Sequence, residues 1–586
     1  MHPYTKARAL TGLGLAVVLS QGVLHAQLLP PQDVAPEPSS GYTEKKVVTA
    51  RKFMIATANP HATRAGDEML KAGGTAVDAA IAAAIMLNLT EPQSSGIGGG
   101  AFILSYEAAG KAVNAYDGRE KAPATAQGDR FLDGKGKPLP LRDAINSGKS
   151  VGVPGLLRVM ELAHQKHGKL PWAKLFEPTI RLAESGFPVS ERLHTVIRLD
   201  KTLRANANAR AYFYDAAGEP LAVGATLKNP AFAAVLRRVA KEGPDAFYKG
   251  EIARDISAAV NSQAQPGGMT VQDIAAYQAK ERTVLCGAYR VYKVCGMPPP
   301  SSGGIAVLAM LGALERFPMS TVRPNSAEAV HLFSEAGRLA YADRDYYVGD
   351  PDFVNVPAAA LVSADYLKTR SALIRPDISM KRAAPGVPAG VKLAWAPDEL
   401  SEIPATSHIS VIDPAGNAVS MTTTIEAVFG SHIMVHGFLL NNQMTDFALL
   451  PEENGLPVAN RIEGGKRPRS TMSPTLVFDA AGKLKMTVGS PGGSAIINYV
   501  TKTLVGVLDW GLDIQQAISL PNRGSRNRAT EVELGTELEK LSGPLKALGH
   551  DVQAIEFTSG LQGIVVTADG LAGGADPRRE GFVMGE

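Results

Sequence analysis

The chain has 586 residues, 45% hydrophobic and 20% charged, enough to bury an extensive core. Length alone suggests three or four domains, unless two pieces of the chain share one sandwich. The formal net charge is only +3, with no long basic run and no aromatic-studded basic stripe, so nucleic acid is not an expected partner.

Lys6 and Arg8 precede an apolar run from Ala9 to Leu19, and a small residue, Ala26, stands before Gln27: the layout of a secretory signal over residues 1–26. That run is too short to span a bilayer comfortably, and no other segment approaches the length of a membrane span. The expectation is an exported protein, periplasmic or secreted, with ordered structure beginning near Val47, after a Pro-rich leader. Residues 61–71 and 76–89 have the alanine-rich periodicity of two helices, with Gly73 and Gly74 as the stop between them. A glycine-rich turn, EPQSSGIGGG, then feeds an apolar strand. Gly96, Gly98 and Ala101 fit a GxGxxA spacing, but here the glycines follow a helix and precede a strand. That order is the reverse of a phosphate-binding turn, and close backbone packing is the expected use.

Helical patterns run from Val153 to about Tyr277 and from Ile305 to Tyr341, interrupted by PPPSSGG. Between them VLCGAYRVYKVCG reads as two short strands around a turn, and carries the two cysteines, Cys286 and Cys295. They form either a short-loop disulfide or two free thiols, and without nearby histidines they make no metal site. The stretch 384–402, rich in Pro, Ala and charge, is expected to be exposed.

Beyond it Thr406 stands just ahead of an alternating strand, 408–413, and a PAGN turn returns the chain through a second strand, 418–425. A threonine hydroxyl is a poor nucleophile without a base. One economical base is its own α-amine, which exists only after the preceding peptide bond is cut. The plain alternative is a Thr-Ser turn entering a strand. His432 and His436 have the i, i+4 spacing of paired helical ligands, yet GSHIMVHGFLL is apolar and strand-like, so packing or surface roles are expected. KRPRSTMSPT offers two neighbouring hydroxyls, Ser470 and Thr471. In VGSPGGS the adjacent glycines after a strand either let backbone N–H groups converge on an oxyanion or form an ordinary strand-end turn.

In this order, GGTAVDAAIAAA, EPQSSGIGGG, DGREKAP, PPPSSGG, DRDYYVGDPDF, LLNNQMTDF, RSTMSPT and GSPGGS resemble the gamma-glutamyltranspeptidase (glutathione hydrolase) family of N-terminal nucleophile hydrolases. The resemblance runs from about Val48 to the last segment. It implies an α+β fold, a four-layer αββα sandwich built jointly by two fragments. The precursor would cut itself between Ala405 and Thr406 into a large subunit, 27–405, and a small one, 406–586, held as a heterodimer. The implied activity is cleavage of the γ-glutamyl amide of glutathione and related compounds through a Thr406 ester, with water or an amino acid or dipeptide as acceptor. No metal or organic cofactor is implied. By similarity Thr424 would orient Thr406, and the N–H groups of Gly492 and Gly493 would hold the oxyanion. Arg119, Ser470 and Thr471 would bind the substrate α-carboxylate, and Gln443 and Asp446 the α-ammonium.

Three departures qualify this carry-over. Glu426 stands where relatives commonly place an asparagine, so two carboxylates, Glu426 and Asp446, are expected in one pocket, one of them with a raised pKa. Thr471 replaces a serine. The loop 448–469 is short and lacks a tyrosine latch, which predicts an open acceptor side. Two rival readings remain: a glutaryl or cephalosporin acylase of the same superfamily, and an unprocessed exported protein that captures peptides with Arg119 and Asp446.

Overall fold

The side chain of Asn59 accepts from the His61 amide and Pro60 opens a helix, Pro60–Lys71, as its fixed φ favours. Gly73, at φ +83°, ends the turn, and a reciprocal Thr75–Asp78 capping box starts the next helix, Ala76–Thr90. That second helix is buried along all fifteen residues. Its alanine-rich, all-apolar surface suits a helix surrounded by protein. Gly66 lets the two helices approach: a Cβ there would lie 3.0 Å from the Ala79 carbonyl oxygen. The computed structural model describes residues 39, 41–392, 394–398 and 405–586, so the expected export signal at 1–26 lies outside the described residues.

The buried helix lies on the strand pair Thr406–Ile412 and Ala418–Thr424, the hairpin expected around PAGN. These two strands sit at the centre of a seven-stranded antiparallel sheet. Its order is Phe582–Gly585, Met54–Thr57, Thr406–Ile412, Ala418–Thr424, Gly100–Glu107, Ala112–Gly118 and Lys280–Arg282. A second seven-stranded antiparallel sheet runs Val48–Ala50, Gly570–Ala575, Gln562–Thr567, Leu484–Gly489, Thr475–Phe478, Tyr292–Gly296 and Leu285–Tyr289.

Strand alternation separates the faces of the first sheet. Ile55, Ile103, Ile409, Val411, Val419 and Met421 pack outward into the helical core, whereas Met54, Ala56, Phe102 and Leu104 belong to the core shared with the second sheet. The inner face is also polar. Ser410 Oγ donates to the Gln562 carbonyl (3.2 Å) and Ser420 Oγ to the Val488 carbonyl (3.1 Å), stitching sheet to sheet. Helices Gly303–Leu314, Ala327–Tyr347 and Ile496–Leu508 contribute to that second core on the far side, completing an αββα sandwich. Residues before 398 and after 405 alternate as neighbours in both sheets, which is why length overestimates the number of domains.

The helical stretch from 156 to 275 is broken into several helices, from Leu156–His167 to Val271–Ala275. Cys286 and Cys295 stand directly opposite in an antiparallel pair and are joined as a disulfide. The linker is mostly exposed through residue 397, apart from Ala396 and a few part-buried positions, but Asp398, Ala405 and Thr406 are buried, at 6%, 0% and 4% exposure. Exposure was expected up to the Thr406 peptide bond. Because Thr406 begins an interior strand covered by a helix and a second sheet, that bond is enclosed instead. Among the described residues no helix is long and apolar enough to cross a membrane.

Candidate active site

Thr406 opens its strand directly opposite Thr424, and alternation puts both side chains on the face of His408 and Ser410, toward the second sheet. Thr406 Oγ1 lies 3.4 Å from Thr424 Oγ1. The Thr424 hydroxyl accepts from the Glu426 amide (2.8 Å) and donates to the Ala405 carbonyl oxygen at 2.7 Å. A nucleophile and a carbonyl polarised by an O–H donor therefore flank the Ala405–Thr406 bond. On the other side of the residue, Arg579 Nη1 donates to the Thr406 carbonyl oxygen at 3.3 Å.

Two residues along the strand, His408 fixes the spacing to the glycine turn. Its Nδ1 bonds Thr422 Oγ1 (2.9 Å) and its Nε2 bonds Ser410 Oγ (3.1 Å), and burial pushes its pKa down to about 3, so the ring is neutral. Gly489 lies against this ring: a Cβ there would sit 2.2 Å from His408 Cε1. The SPGGS turn leaves from that point and leads into the helix Ile496–Leu508. Gly492 and Gly493 take φ of +136° and +53°, and a Cβ on Gly492 would meet the Tyr499 ring at 2.4 Å. Thr471 Oγ1 donates to the Gly493 carbonyl at 2.8 Å, tying the two-hydroxyl loop to the glycine turn.

Arg119 follows the strand Ala112–Gly118 and is 1% exposed, which removes the reading of a surface ion pair. Its Nη2 meets Asp446 Oδ2 at 2.5 Å and donates to the Arg469 carbonyl at 2.7 Å, while Nε donates to the Pro468 carbonyl at 3.2 Å. Gln443 Nε2 donates to Asp446 Oδ2 at 2.6 Å from the same short turn, Gln443–Asp446. A cation and an anion thus stand together, poised to part around a zwitterionic ligand. Ser470 is held by its backbone: its carbonyl accepts from the Ser302 amide and hydroxyl, both at 2.7 Å, which is what PPPSSGG contributes.

Glu426 takes φ +82°, unusual for a non-glycine residue, and its carboxylate accepts from Asn442 Nδ2. A raised carboxyl pKa occurs at Glu120. Burial lifts it to about 8 against the opposing pull of Arg119, whose Nη1 is 3.8 Å away, and neither of its oxygens has a hydrogen-bond partner among the described residues. Behind the cradle, Asn460 Nδ2 donates both to the Asp446 carbonyl (2.8 Å) and to Asp398 Oδ2 (2.9 Å), and Arg469 Nη2 reaches Asp398 Oδ2 at 3.1 Å. Glu120, Asn442, Asn460, Asp398, His408 and Arg579 were not singled out from sequence as site residues, because nothing in their local strings carries a spacing signal.

The remaining candidates lie elsewhere. Gly98 and Gly99 let backbone approach backbone, with Cβ positions 2.0 and 2.1 Å from the Leu439 and Thr424 carbonyl oxygens, in keeping with close packing. His432 and His436 each bond a different carboxylate at 2.7 Å, Asp200 and Asp255. Among the described residues one group, His331, Glu335 and His550, brings three metal-type ligand atoms within 4.8 Å. Those atoms are already engaged. His331 Nδ1 bonds His550 Nε2 (2.7 Å), and Glu335 accepts from Arg338 (3.0 Å), Ser379 (2.8 Å) and the Met380 amide (2.7 Å). The group is a closed hydrogen-bond network.

An αββα sandwich with a buried threonine opening a central strand is the architecture of N-terminal nucleophile hydrolases, and the same fold recurs in a cephalosporin acylase from Bacillus halodurans. That structure covers 94% of this chain and 99% of its own, at a TM-score of 0.80 and 26% identity. Residues 62–586 match the family described as Gamma-glutamyltranspeptidase. The chain is 39% identical to a glutathione hydrolase proenzyme of Escherichia coli (strain K12), covering 98% of each, and 38% identical to one of Bacillus subtilis (strain 168), covering 94% of each. It belongs to the gamma-glutamyltranspeptidase family.

Proposed function

We propose that this chain is the precursor of an exported γ-glutamyl hydrolase and transferase that severs its own Ala405–Thr406 bond. The observation that carries the reading is the Thr424 hydroxyl, 2.7 Å from the Ala405 carbonyl oxygen and 3.4 Å from Thr406 Oγ1. Attack of Thr406 Oγ1 on the Ala405 carbon breaks the C–N bond and leaves an ester. Water opens that ester to an Ala405 carboxylate and a free threonine bearing both hydroxyl and amine. The new amine, with a reference pKa of roughly 7.7 to 8.0, is appreciably neutral near pH 7 and can take the hydroxyl proton in turnover.

In each cycle Thr406 attacks the γ-carbonyl of a γ-glutamyl amide such as glutathione, and the amine returns the proton to the leaving nitrogen. Water or an amino acid or dipeptide amine then accepts the γ-glutamyl group. Arg119, Ser470 and Thr471 receive the α-carboxylate, Asp446, Gln443 and Glu426 the α-ammonium, and the N–H groups of Gly492 and Gly493 the oxyanion. The cradle's balance of one arginine against Asp446 and Glu426 favours a donor with an α-ammonium over a glutaryl amide, which lacks it. The exposed Leu450 and Leu456 on the loop beyond Asp446 fit an open acceptor side.

The test is N-terminal sequencing of the smaller polypeptide from active material, together with rates on γ-glutamyl and glutaryl anilides. A chain starting at Thr406 and a strong γ-glutamyl preference are expected. Equal turnover of the two anilides sinks the substrate assignment, and a single uncut active band sinks the mechanism.

A further inference from the structure

We propose that Arg579 is a positioning residue whose fixed positive charge keeps the Thr406 α-amine in its uncharged, proton-accepting form at neutral pH. This deepens the function proposed above and rests on it. Arg579 Nη1 donates to the carbonyl oxygen of Thr406, the residue whose amine becomes the base, and Nη2 donates to the Thr558 carbonyl at 2.8 Å. The nitrogen and carbonyl oxygen of one residue are about 3 Å apart by standard bond lengths. The guanidinium therefore comes within roughly 6 Å of the amine, the range in which a like charge disfavours protonation. Both residues follow the cut, so the contact belongs to one fragment.

The arginine is held rather than free-swinging. It is 2% exposed and lies over Gly560, where a Cβ would come within 2.7 Å of its Cδ and 2.6 Å of Pro491 Cγ, at the glycine turn itself. Lys45 Nζ fixes its backbone by donating to the Arg579 and Gly581 carbonyls at 2.7 and 2.6 Å.

The other charged groups around Thr406 are engaged with partners of their own. On the hairpin side, Glu426 is bonded by Asn442. On the cradle side, Asp446 is paired with Arg119, and Glu120, its pKa raised by burial, is mostly protonated near pH 7. From the C-terminal segment, Asp576 is paired with Arg578 at 3.1 Å, and Glu580 accepts from the Arg192 amide. Glu91, closing the buried helix, faces Arg192 at 3.9 Å, and Lys45, its pKa lowered to about 8 by burial, adds a second positive group. Arg579 is the charged side chain that touches the nucleophile residue itself.

The test is the pH profile of kcat/KM for a γ-glutamyl anilide in the self-cleaved protein, for wild type, Arg579→Lys and Arg579→Gln. The acid limb reports the amine. It should move up by about one pH unit in the Gln variant and stay within a few tenths in the Lys variant. An unmoved limb in Arg579→Gln, or an equal shift in both variants, overturns the proposal. A second measurement needs no variant: the pH dependence of N-acetylation of Thr406 by trace acetic anhydride, read by mass on the first peptide of the small fragment. A wild-type midpoint below about 7.7 is expected, and one at or above about 8 overturns the proposal. If no fragment begins at Thr406, the denaturing gel shows that the self-cleavage reading has failed, and the proposal falls with it.

Discussion

The Thr424 hydroxyl serves three neighbours at once: it accepts from Glu426, meets Thr406 and donates to the Ala405 carbonyl. Replacing it with valine keeps shape and removes the donor. Loss of one oxyanion-type donor costs about 2.7 to 4 kcal/mol of barrier, so Thr424→Val should slow appearance of the small fragment by about 10²- to 10³-fold on a timed gel. Thr406→Ala should leave the chain whole and inactive. Glu120 belongs to the same scale but to stability. Its folded pKa of about 8 lies above the ordinary carboxylate value of 4.5, so the folded state holds a proton the unfolded state has released, and stability falls as pH rises from about 4.5 to 8. That loss is on the order of 3 kcal/mol by pH 7. Glu120→Gln, which keeps the neutral form, should flatten the decline between pH 5 and 8 in denaturant midpoints of the folded precursor. An unchanged pH slope contradicts an ionised-in-water, neutral-in-protein carboxyl.

At the scale of elements, the turn Gly489–Gly493 depends on what lies beneath it. A Cβ at Gly489 would enter the His408 ring, which is pinned on both nitrogens. Gly489→Ala should therefore cost about 1 to 3 kcal/mol of stability and slow turnover as well, read by denaturant midpoint and by rate per cut molecule. This is also where sequence and structure part company. The two N-terminal helices are legible because Asn59, Thr75 and Gly73 are local signals, and the Thr406 hairpin because alternation around PAGN is local too. The pairing of His408 with Gly489 is not, since it depends on how two sheets stack across 81 positions of chain. The enclosure of the Ala405–Thr406 bond was missed for the same reason: a Pro-rich, charged linker reads as exposed up to the point where a long-range strand pairing begins. Arg119 and Asp446 were legible through long motifs, whereas nothing in ADPRRE marks which arginine reaches Thr406.

At the scale of the whole molecule, the pieces on either side of residue 405 are neighbours in both sheets. Met54–Thr57 pairs with Thr406–Ile412, Gly100–Glu107 with Ala418–Thr424, and Tyr292–Gly296 with Thr475–Phe478. Cutting one bond removes none of these pairings. After self-cleavage the two fragments should elute together at native size and part only in denaturant, with a midpoint that rises with protein concentration, unlike that of Thr406→Ala. The disulfide closes a loop of separation nine at one sheet edge, far from the central strands. By loop entropy it contributes at most about 2 to 3 kcal/mol. Cys286→Ser with Cys295→Ser should lower the thermal midpoint by a few degrees and leave the cut intact.

The strand Phe582–Gly585 borders Met54–Thr57, which borders the nucleophile strand, and Arg579 stands three residues before it. The last residues to leave the ribosome are thus among the first needed beside Thr406. A nascent or translocating chain is consequently chemically silent along its whole route, and hydrolytic power is switched on by completion of synthesis, with the carboxyl terminus as the arming pin.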